Sequence, residues 1–457
     1  MVMKRMRLLH VLNKLKDMGE LTEIRDEVQG EDITYISRRY DEGPTFLFRK
    51  ITFGKMPIVT NVCNTRRKMM KFVNVNTEEE LYKKIIEANE NPLEGEIKDL
   101  DAASFTWFEG EGDLKRIPIF KYYPKDAGPY ITSGIVIAKS VRAEIYNASI
   151  HRMLLIGENK LAIRIVPRHL WRLYQEAINR GEDLLVAVLI GVHPAILLAA
   201  ACSPPFGINE LFVANAMLNG SINFVRLPES GLLVPAEVEI VLEGRITKEE
   251  SWEGPFADIL DIYDIRRLQP VLVVDKIWIS KDAVYHAIVP ASAEHRILMG
   301  LYKEALIWDS VRKVVPKVSK VRLTRGGCGW LHAAISIEKS CEGDSKNAIL
   351  AAFAAHPSLK MVIVVDSDVD VDDPYQIEWA LATRFQPEED LVLIKGARGS
   401  SLDPSADQKR LLTSKLGIDA TKPLLKPSHL FEKTEIIPSE RAKSILNKLR
   451  GGTLKCI

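Results

Sequence analysis

The chain contains little cysteine and carries almost no net charge. Its cysteines are Cys63, Cys202, Cys328, Cys341 and Cys456; they are odd in number and form no CxxC pair. This pattern argues against a disulfide framework or a thiolate zinc site and suits a reducing cytosol. A formal net charge of +1 leaves no large basic excess to favour nucleic acid or an anionic membrane. We therefore predict a cytoplasmic protein that binds no nucleic acid.

The sequence also lacks an uninterrupted apolar run of membrane-spanning length. Leu184–Cys202 comes nearest, but His193 and Pro194 lie at its centre and would be costly in lipid. We interpret this stretch as a buried strand, a turn and a buried helix starting near Pro194. The basic N-terminal segment has charged residues within any signal-peptide core, and its apolar residues from Leu8 to Leu15 have helical spacing. The sequence therefore predicts an amphipathic opening helix and no membrane insertion.

The pattern of residues changes twice along a chain of 457 residues, which is too long for a single core. The first part mixes helical and strand patterns, and Thr77–Ala88 has the charge distribution of a helix. The middle part has short runs rich in Val and Ile, which favour an antiparallel sheet or barrel. The last part alternates strands and helices around the fully apolar run Met361–Val365. We predict a mixed α/β fold with domains 1–115, 116–300 and 301–457.

Short elements are predicted throughout the middle part. The predicted strands are Tyr130–Ala138, Leu161–Val166, Leu184–Ile190, Ile222–Arg226, Val238–Leu242, Val271–Ile279 and Val284–Val289. The predicted helices inserted between them are Pro194–Ala201 and Glu210–Leu218.

Three residues of the middle part could hold a metal ion. Asn147, in the segment Asn147-Ala-Ser-Ile-His-Arg152, offers an amide oxygen, and His169 offers an imidazole nitrogen. Glu210 places a carboxylate at the start of an apolar helical run. Such ligands suit Mn²⁺ or Mg²⁺ better than a metal that prefers thiolates. Each residue alone is more often a helix cap, an ion-pair partner or a satisfied core group, so the spacing leaves both interpretations open.

A second block, Glu253-Gly-Pro-Phe-Ala-Asp258, places two carboxylates on either side of a Gly-Pro turn. If both face one pocket, their repulsion raises the pKa of one, and a neighbouring arginine keeps the other ionised. The pair would then supply a proton donor and an electrostatic partner, as acid–base catalysis requires. The alternative is a solvated turn with two surface acids.

Taken in order, the motifs of the chain resemble those of the UbiD-like decarboxylase family. They extend from about Asp126 to Thr421, in the family's order, and the ordered set is far more specific than any one piece. The segments are NASIHR, LIGENKLAIR, PAEVEIVLEG, EGPFAD, VIVVDSDVDV, ALATRF and SKLGIDAT.

The resemblance implies a split β-barrel domain that binds prenylated FMN. N-terminal and C-terminal α/β regions would flank this domain, and the C-terminal one would serve oligomerisation. Asn147, His169 and Glu210 match the family's ligands for a divalent metal, Mn²⁺ or Mg²⁺, next to the flavin phosphate, whose charge the metal offsets. K⁺ would be a further ion, and the variable spacing after Arg152 leaves Arg168 as an alternative register for His169. The implied cofactor-binding residues are Thr132, Asn147, Ala148, Ser149, Ile150, His151, Arg152, Arg164, Ile165, Val166, Arg168, His169 and Glu210.

The resemblance also implies a mechanism in which the cofactor carries the electronic chemistry. The double bond of the acid adds to the modified flavin, CO₂ leaves, and a carboxylic acid returns a proton to carbon. Arg152, Glu253 and Asp258 match the family's catalytic network. We assign Asp258 as the proton donor, with Glu253 and Arg152 orienting it and tuning its acidity.

One segment, Pro290-Ala-Ser-Ala-Glu-His295, departs from the Gly-Arg-Pro-Pro-type sequence of bacterial ubiquinone-pathway members. It looks more like archaeal members, which include enzymes that convert trans-anhydromevalonate 5-phosphate to isopentenyl phosphate in a mevalonate pathway. A phosphorylated substrate requires a cationic pocket. Arg66, Arg67, Lys68 and Arg296 could supply it, but each is more often an exposed charge, and we leave them out of the predicted site.

The predicted activity is non-oxidative decarboxylation of an α,β-unsaturated acid, with trans-anhydromevalonate 5-phosphate as the substrate. An aromatic acid such as 4-hydroxy-3-polyprenylbenzoate is the alternative, and its tail would require a long apolar channel. A flavin-binding split-barrel protein without turnover is an alternative of a different class. The expected partners are a flavin prenyltransferase that supplies the cofactor and further copies of the chain in a homodimer or larger homo-oligomer.

Overall fold

A computed structural model describes residues 6–107, 112–434 and 437–450 of the chain. Cys456 and the first five residues of the basic N-terminal segment lie outside the described residues. The other four cysteines are free thiols, as their scattered positions predict.

The N-terminal part packs helices around a small sheet. The buried side of α1 is formed by the apolar residues from Leu8 to Leu15, as their spacing predicts. α4 begins after Thr77, whose hydroxyl accepts a hydrogen bond from the backbone N–H of Glu80 and so satisfies one free donor of the first turn. The elements are α1 (Leu8–Asp17), β1 (Leu21–Val28), α2 (Gly30–Arg39), β2 (Thr45–Ile51), β3 (Ile58–Thr60), α3 (Arg66–Phe72) and α4 (Glu78–Glu90).

The central part is an antiparallel sheet that curls into a half-barrel. The elements of this part are β4 (Phe105–Trp107), β5 (Tyr130–Ile131), β6 (Ile135–Lys139), β7 (Tyr146–Ile150), β8 (Met153–Leu155), β9 (Lys160–Ile163), α5 (His169–Asn179), β10 (Leu184–Ile190), α6 (Pro194–Ala201), α7 (Glu210–Met217), β11 (Phe224–Arg226), β12 (Leu233–Pro235), β13 (Ile240–Glu253), β14 (Phe256–Ala257), β15 (Tyr263–Asp264), β16 (Arg267–Ser280) and β17 (Tyr285–His286). The described strands of the large sheet follow the order β5-β8-β9-β16-β13-β10-β6-β7, with β4 paired to β16. The predicted mixed α/β class with a split-barrel sheet is confirmed.

Three predicted strands of the central part were partly wrong. Tyr130–Ala138 divides into β5 and β6 around Gly134, where an added Cβ would come within 2.3 Å of the Met153 side chain. The predicted strand Val284–Val289 shrinks to β17, which pairs in parallel with β3 and so extends the N-terminal sheet. β11, from the predicted Ile222–Arg226, pairs with β12 in a separate two-stranded sheet. An apolar run predicts burial, but it does not specify which sheet the strand joins.

Helices α6 and α7 pack against each other and against the edge strand β7. Leu184–Cys202 forms β10, a turn and α6, as predicted, and the His193 ring accepts a hydrogen bond from the backbone N–H of Ala195 at 3.2 Å. α7 follows and begins at Glu210, after a cap by Asn209. In the part of the chain that the structure describes, no helix combines the length and the apolar character needed to cross a membrane.

The C-terminal part is a five-stranded sheet with helices packed on it. Its strands follow the order β18-β19-β20-β22-β21, parallel at the centre and antiparallel at both edges. The predicted strand Met361–Val365 forms the buried central β20. The elements are α8 (Ala293–Val311), β18 (Lys317–Leu323), β19 (His332–Glu338), α9 (Asp344–Ala355), β20 (Met361–Asp366), α10 (Pro374–Arg384), α11 (Pro387–Asp390), β21 (Leu391–Arg398), β22 (Leu412–Ala420) and α12 (Glu440–Arg450).

One buried carboxylate connects the N-terminal part, strand β17 and helix α8 by hydrogen bonds. Glu294, in the first turn of α8, is fully buried. Its oxygens accept hydrogen bonds from the backbone N–H groups of Asn61 and Cys63 at 2.9 and 2.7 Å, and one lies 3.0 Å from His286 Nε2 in β17. The loop after β3, the strand β17 and the start of α8 are therefore fixed to one another. The domain boundaries at residues 115 and 300 stay a prediction.

Truncation of Leu189 should destabilise the protein. Leu189 lies on the central strand β10 with no exposed surface, and truncating a buried leucine typically costs about 2–5 kcal/mol. We expect Leu189→Ala to lower the midpoint of thermal unfolding by several degrees. Leu185→Ala is the matched control, because Leu185 lies on the same strand with 46% of its surface exposed. Equal destabilisation by the two changes would contradict the burial assigned to β10.

Candidate active site

Arg152, which follows β7, forms the ionic centre of the site. Its Nε and Nη2 donate to the two oxygens of Glu253 at 2.9 and 3.0 Å, and its Nη1 donates to Asp258 at 2.7 Å. The side chains of Arg152 and Glu253 are 10% and 0% exposed. The structure thus brings together the three predicted catalytic residues, in the arrangement of one guanidinium shared between two carboxylates.

A third carboxylate, Asp264 at the end of β15, completes this cluster and was missed by the sequence analysis. Arg152 Nη2 donates to Asp264 Oδ2 at 2.7 Å, and Arg267 Nη1 donates to Asp264 Oδ1 at 2.7 Å. Burial alone would raise the pKa of Asp264, but the two guanidinium groups hold it below its usual range. In the sequence, only the spacing of Asp264 and Arg267 pointed to a pair, and this spacing does not distinguish a buried pair from two charges in an exposed turn.

The chain builds this cluster by folding back on itself after β13. Glu253 ends β13, and β14 pairs antiparallel with β15 so that Phe256 lies opposite Asp264. The hydroxyl of Tyr130 donates to Glu253 Oε1 at 3.1 Å and accepts the backbone N–H of Gly254 at 3.2 Å. The Phe256 ring centroid lies 4.7 Å from Arg152 Cζ and covers one face of the guanidinium. The Gly254–Pro255 peptide bond is cis.

Asp258 differs from its two acidic neighbours in being the most accessible. Its side chain is 18% exposed, against 14% for Asp264 and 0% for Glu253. One carboxylate oxygen is held by Arg152, and the other accepts the backbone N–H of Ile259 at 2.7 Å. Both oxygens of Asp258 thus accept hydrogen bonds, and its side chain is slightly more exposed than that of Asp264.

Asn147 and Glu210 lie in direct contact where the start of α7 packs against β7. Asn147 Nδ2 and the backbone N–H of Ala148 donate to the two oxygens of Glu210 at 2.9 and 2.8 Å, and Ser149 Oγ donates to Asn147 Oδ1 at 2.9 Å. Burial raises the pKa of Glu210 to about 7, and the backbone N–H groups of Ala148 and of Glu210 itself, together with the Asn147 amide, oppose that rise. Among the described residues, Glu210 has no ion-pair partner, and a buried carboxylate in this state is suited to a bound cation.

His169 is the first residue of α5, a helix that packs against β7. Burial and the charges of Arg168 and Arg172 lower the pKa of His169, which favours the neutral imidazole that metals bind. Its ring packs edge-on against Phe206, with 5.4 Å between centroids. No described hydrogen bond joins His169 to Asn147, so the metal-ligand set and the register with Arg168 stay predictions.

The candidate metal site depends on an amide oxygen. Within residues 6–107, 112–434 and 437–450, no three His, Cys, Asp or Glu side chains lie together in a way that could hold a metal ion. The predicted set, with one imidazole, one carboxylate and the amide oxygen of Asn147, is compatible with this result.

The other predicted cofactor-binding residues follow the strands from β5 to β9. The His151 ring joins β7 to the residue after β9: its Nε2 lies 2.9 Å from Ser149 Oγ, and its Nδ1 lies 2.8 Å from the carbonyl oxygen of Arg164. Burial lowers the pKa of His151 to about 4, so this ring is neutral near pH 7. Arg164 Nε lies 3.9 Å from Asp264, which brings this strand end to the catalytic cluster.

The remaining predicted positions border the same region. The Thr132 and Tyr122 hydroxyls lie 2.8 Å apart, and the backbone N–H of Ile165 donates to Gln269 at 2.8 Å. Val166 is 37% exposed. Ala148 and Ile150 belong to β7, on either side of Ser149.

The cations first considered for a phosphate pocket have other partners. Arg66 donates to Glu304, which is 1% exposed, and Arg67 pairs with Glu20. The interpretation of these cations as exposed charges holds for Arg67, whose side chain is 67% exposed. It was wrong for Lys68, which is 1% exposed and donates to four oxygens of the N-terminal part. Arg66 and Arg296 are not exposed charges either, because their side chains are 24% and 15% exposed in their ion pairs. Lys68 can be buried in α3 because residues 43–45 and 61–64 surround its ammonium group with acceptor oxygens.

Comparison with known families identifies three consecutive matches. The profile of the 3-octaprenyl-4-hydroxybenzoate carboxy-lyase N-terminal domain matches residues 12–88. That of the Rift-related domain of the same carboxy-lyase matches residues 98–293, and that of its C-terminal domain matches residues 296–420. Together they cover most of the chain.

Individual relatives and solved structures agree with these matches. The chain is 49% identical to an anhydromevalonate phosphate decarboxylase of Aeropyrum pernix, covering 84% of this chain and 85% of the relative. It is 47% identical to an enzyme of the same name from Methanothermobacter thermautotrophicus, covering 83% and 88%. A structure of the UbiD-class enzyme HmfF from Pelotomaculum thermopropionicum in complex with FMN superimposes with a TM-score of 0.91 at 37% identity, covering 95% and 98%.

Removal of the Arg152 charge should destabilise the protein in a pH-dependent way. Arg152→Met leaves buried carboxylates uncompensated, which typically costs about 3–5 kcal/mol near pH 7. Their folded-state pKa values would then exceed the unfolded ones, so the variant should regain stability relative to wild type as the pH falls from 7 towards about 4. Thermal unfolding across this range measures the effect.

Arg49→Met is the control for this experiment, because the side chain of Arg49 is 43% exposed in its pair with Glu23. Loss of an exposed pair should cost no more than about 1 kcal/mol. A deficit in Arg152→Met that stays constant with pH would show that the carboxylates do not depend on Arg152.

Proposed function

The chain belongs to the UbiD family and is a decarboxylase, and on this premise we propose that its substrate is trans-anhydromevalonate 5-phosphate. The reaction would release CO₂ and form isopentenyl phosphate without net oxidation. The observation that carries the proposal is the Arg152–Glu253–Asp258 cluster, in a chain 49% identical to a relative that bears the name of this activity.

Asp258 would return the proton to carbon after CO₂ has left. Its carboxyl is the most exposed of the three acids and is turned towards Arg152, which keeps it in one orientation. A positioned acid of this kind typically contributes about 10²–10⁴-fold to a rate. Arg152 would also attract the anionic carboxylate of the substrate to the reacting position.

Glu253 and Asp264 would act through Arg152. Glu253 is fully buried and binds the guanidinium through both oxygens. Asp264 accepts a further hydrogen bond from Nη2 of Arg152. Because three carboxylates share this guanidinium, its side chain has little freedom to rotate. The two acids are therefore positioning residues, and Asp258 is the catalytic one.

The residues along β7 and at the start of α7 fit a cofactor that carries both phosphate and metal. Glu210 is buried with amide donors alone as described partners, and Asn147 offers an amide oxygen beside it. Asn147, Glu210 and His169 would hold Mn²⁺ or Mg²⁺, with K⁺ as a further ion, and Thr132, Ser149 and Arg164 would contact the flavin. Prenylated FMN, when bound, supplies an acceptor for the electron pair that CO₂ leaves behind.

The proposed partners follow from the same chemistry. A flavin prenyltransferase would supply the modified cofactor, and the chain would work in the cytoplasm as a homodimer or larger homo-oligomer. An evolved form of the HmfF enzyme of Pelotomaculum thermopropionicum, 36% identical to this chain, is a dimer in complex with prFMN, which supports prenylated FMN as the cofactor.

Cofactor and substrate can be tested in one preparation. Co-expression with a flavin prenyltransferase, followed by anaerobic purification with Mn²⁺, should yield a protein with the absorbance of a bound modified flavin. This holoenzyme should release CO₂ from trans-anhydromevalonate 5-phosphate faster than from 4-hydroxy-3-polyprenylbenzoate. Faster release from the aromatic acid would favour the alternative substrate, whereas bound flavin without turnover would favour a binding protein.

Two substitutions should separate turnover from cofactor retention. Asp258→Asn removes the proton donor and should lower kcat at least about 100-fold while the flavin absorbance and metal content stay at wild-type levels. Glu210→Gln removes a carboxylate ligand and should release metal and flavin together. Loss of flavin in Asp258→Asn, or full retention in Glu210→Gln, would contradict the roles assigned here.

A further inference from the structure

An ion pair without a role in the proposed reaction joins the turn after Asp258 to the N-terminal part. Asp261 Oδ2 accepts a hydrogen bond from Arg38 Nη2 at 2.9 Å, and Arg38 belongs to the last turn of α2 in the N-terminal part. The backbone N–H of Asp261 donates to the carbonyl oxygen of Asp258 at 2.9 Å. Such a turn keeps its end Cα atoms within about 7 Å, so the Arg38 pair lies one short turn away from the proposed proton donor.

Arg38 also contacts the loop between β17 and α8. Its Nη1 donates to the carbonyl oxygen of Pro290 at 3.3 Å, and that oxygen also accepts the Tyr123 hydroxyl at 2.9 Å. The loop beyond Pro290 leads to His295, whose Nδ1 accepts the backbone N–H of Ala291 at 3.2 Å. These contacts bring a cation of the N-terminal part to the loop between β17 and α8.

His295 shows how closely these charges are grouped. Burial lowers the pKa of its imidazole, and the charges of Asp258, Arg296, Arg152 and Arg38 all act on the same ring. His295 thus lies within electrostatic range of the catalytic acid, of its guanidinium partner and of Arg38.

The Arg38–Asp261 pair is more exposed than the neighbouring Arg296–Asp41 pair. The side chain of Arg38 is 25% exposed and that of Asp261 58% exposed, and exposed pairs contribute at most about 1 kcal/mol. By contrast, Arg296 pairs with Asp41, whose side chain is 10% exposed and also accepts the backbone N–H of Ala293. Asp41 is therefore fixed at the start of α8, whereas Asp261 can leave Arg38 at little cost.

We propose that Arg38 binds the distal phosphate of the substrate, taking it in exchange for the carboxylate of Asp261. A phosphomonoester carries up to two negative charges and three acceptor oxygens, and a guanidinium can bind two of these oxygens at once. The phosphate therefore outcompetes a single, largely solvated carboxylate. Arg38 would thus select phosphorylated acids, and this assignment rests on the proposed function.

Arg38→Ala in the holoenzyme tests the assignment. The KM for the phosphorylated acid should rise about 10- to 100-fold, the range expected for loss of a charge-assisted contact. Competitive inhibition by inorganic phosphate should weaken in parallel, while kcat/KM for the dephosphorylated acid should be unchanged. Arg39→Ala is the matched control, because Arg39 is the next residue of α2 and is exposed.

Asp261→Asn distinguishes substrate binding from a structural role of the pair. Because it frees Arg38 from its competitor, it should lower the KM for the phosphorylated acid and strengthen inhibition by phosphate. If the pair only stabilised the fold, both Arg38→Ala and Asp261→Asn would lower the thermal midpoint and would lower kcat/KM equally for the phosphorylated and the dephosphorylated acid. That result would overturn the assignment. An unchanged KM in Arg38→Ala would overturn it alone, whereas a wild type inactive on the phosphorylated acid would overturn the proposed function as well.

Discussion

The site depends on the burial of one guanidinium among three carboxylates. An isolated charge would cost several kcal/mol to bury, so Arg152 and its acids are stable in this place only together. Each partner is supplied by a different segment: Glu253 by the end of β13, Asp258 by the turn after β14, and Asp264 by the end of β15. The path of the chain beyond β13 is therefore constrained by electrostatics as much as by apolar packing.

Much of the fold could be predicted from local patterns. The opening helix, β10 with α6, and β20 are visible in the sequence because their burial follows a simple periodicity or an unbroken apolar run. The meeting of Arg152, Glu253 and Asp258 could be predicted from ordered motifs, although residue spacing alone left it open. The partner sheet of β17 could not be predicted, because a strand of two residues, Tyr285 and His286, has no pattern that specifies its neighbour.

The polar contacts missed by the sequence analysis share a physical cause. Asp264 meets Arg152 across 112 positions, and Asp261 meets Arg38 across 223. Charged residues in turns are usually solvated, so nothing local marks the few that pair at long range. The burial of Lys68 was missed because its four acceptors are carbonyl, hydroxyl and amide oxygens of residues 43–45 and 61–64 rather than a carboxylate.

The attachment of Glu294 to the loop after β3 and to His286 bears on how such a chain can be divided. Strand β17 lies more than two hundred residues after β3 yet completes the same sheet. A fragment ending at the close of the N-terminal sequence would present an unpaired strand edge and would leave Asn61 and Cys63 without their acceptor. Recombination between relatives would thus preserve folding best when the N-terminal segment and the β17–α8 segment are inherited from the same parent.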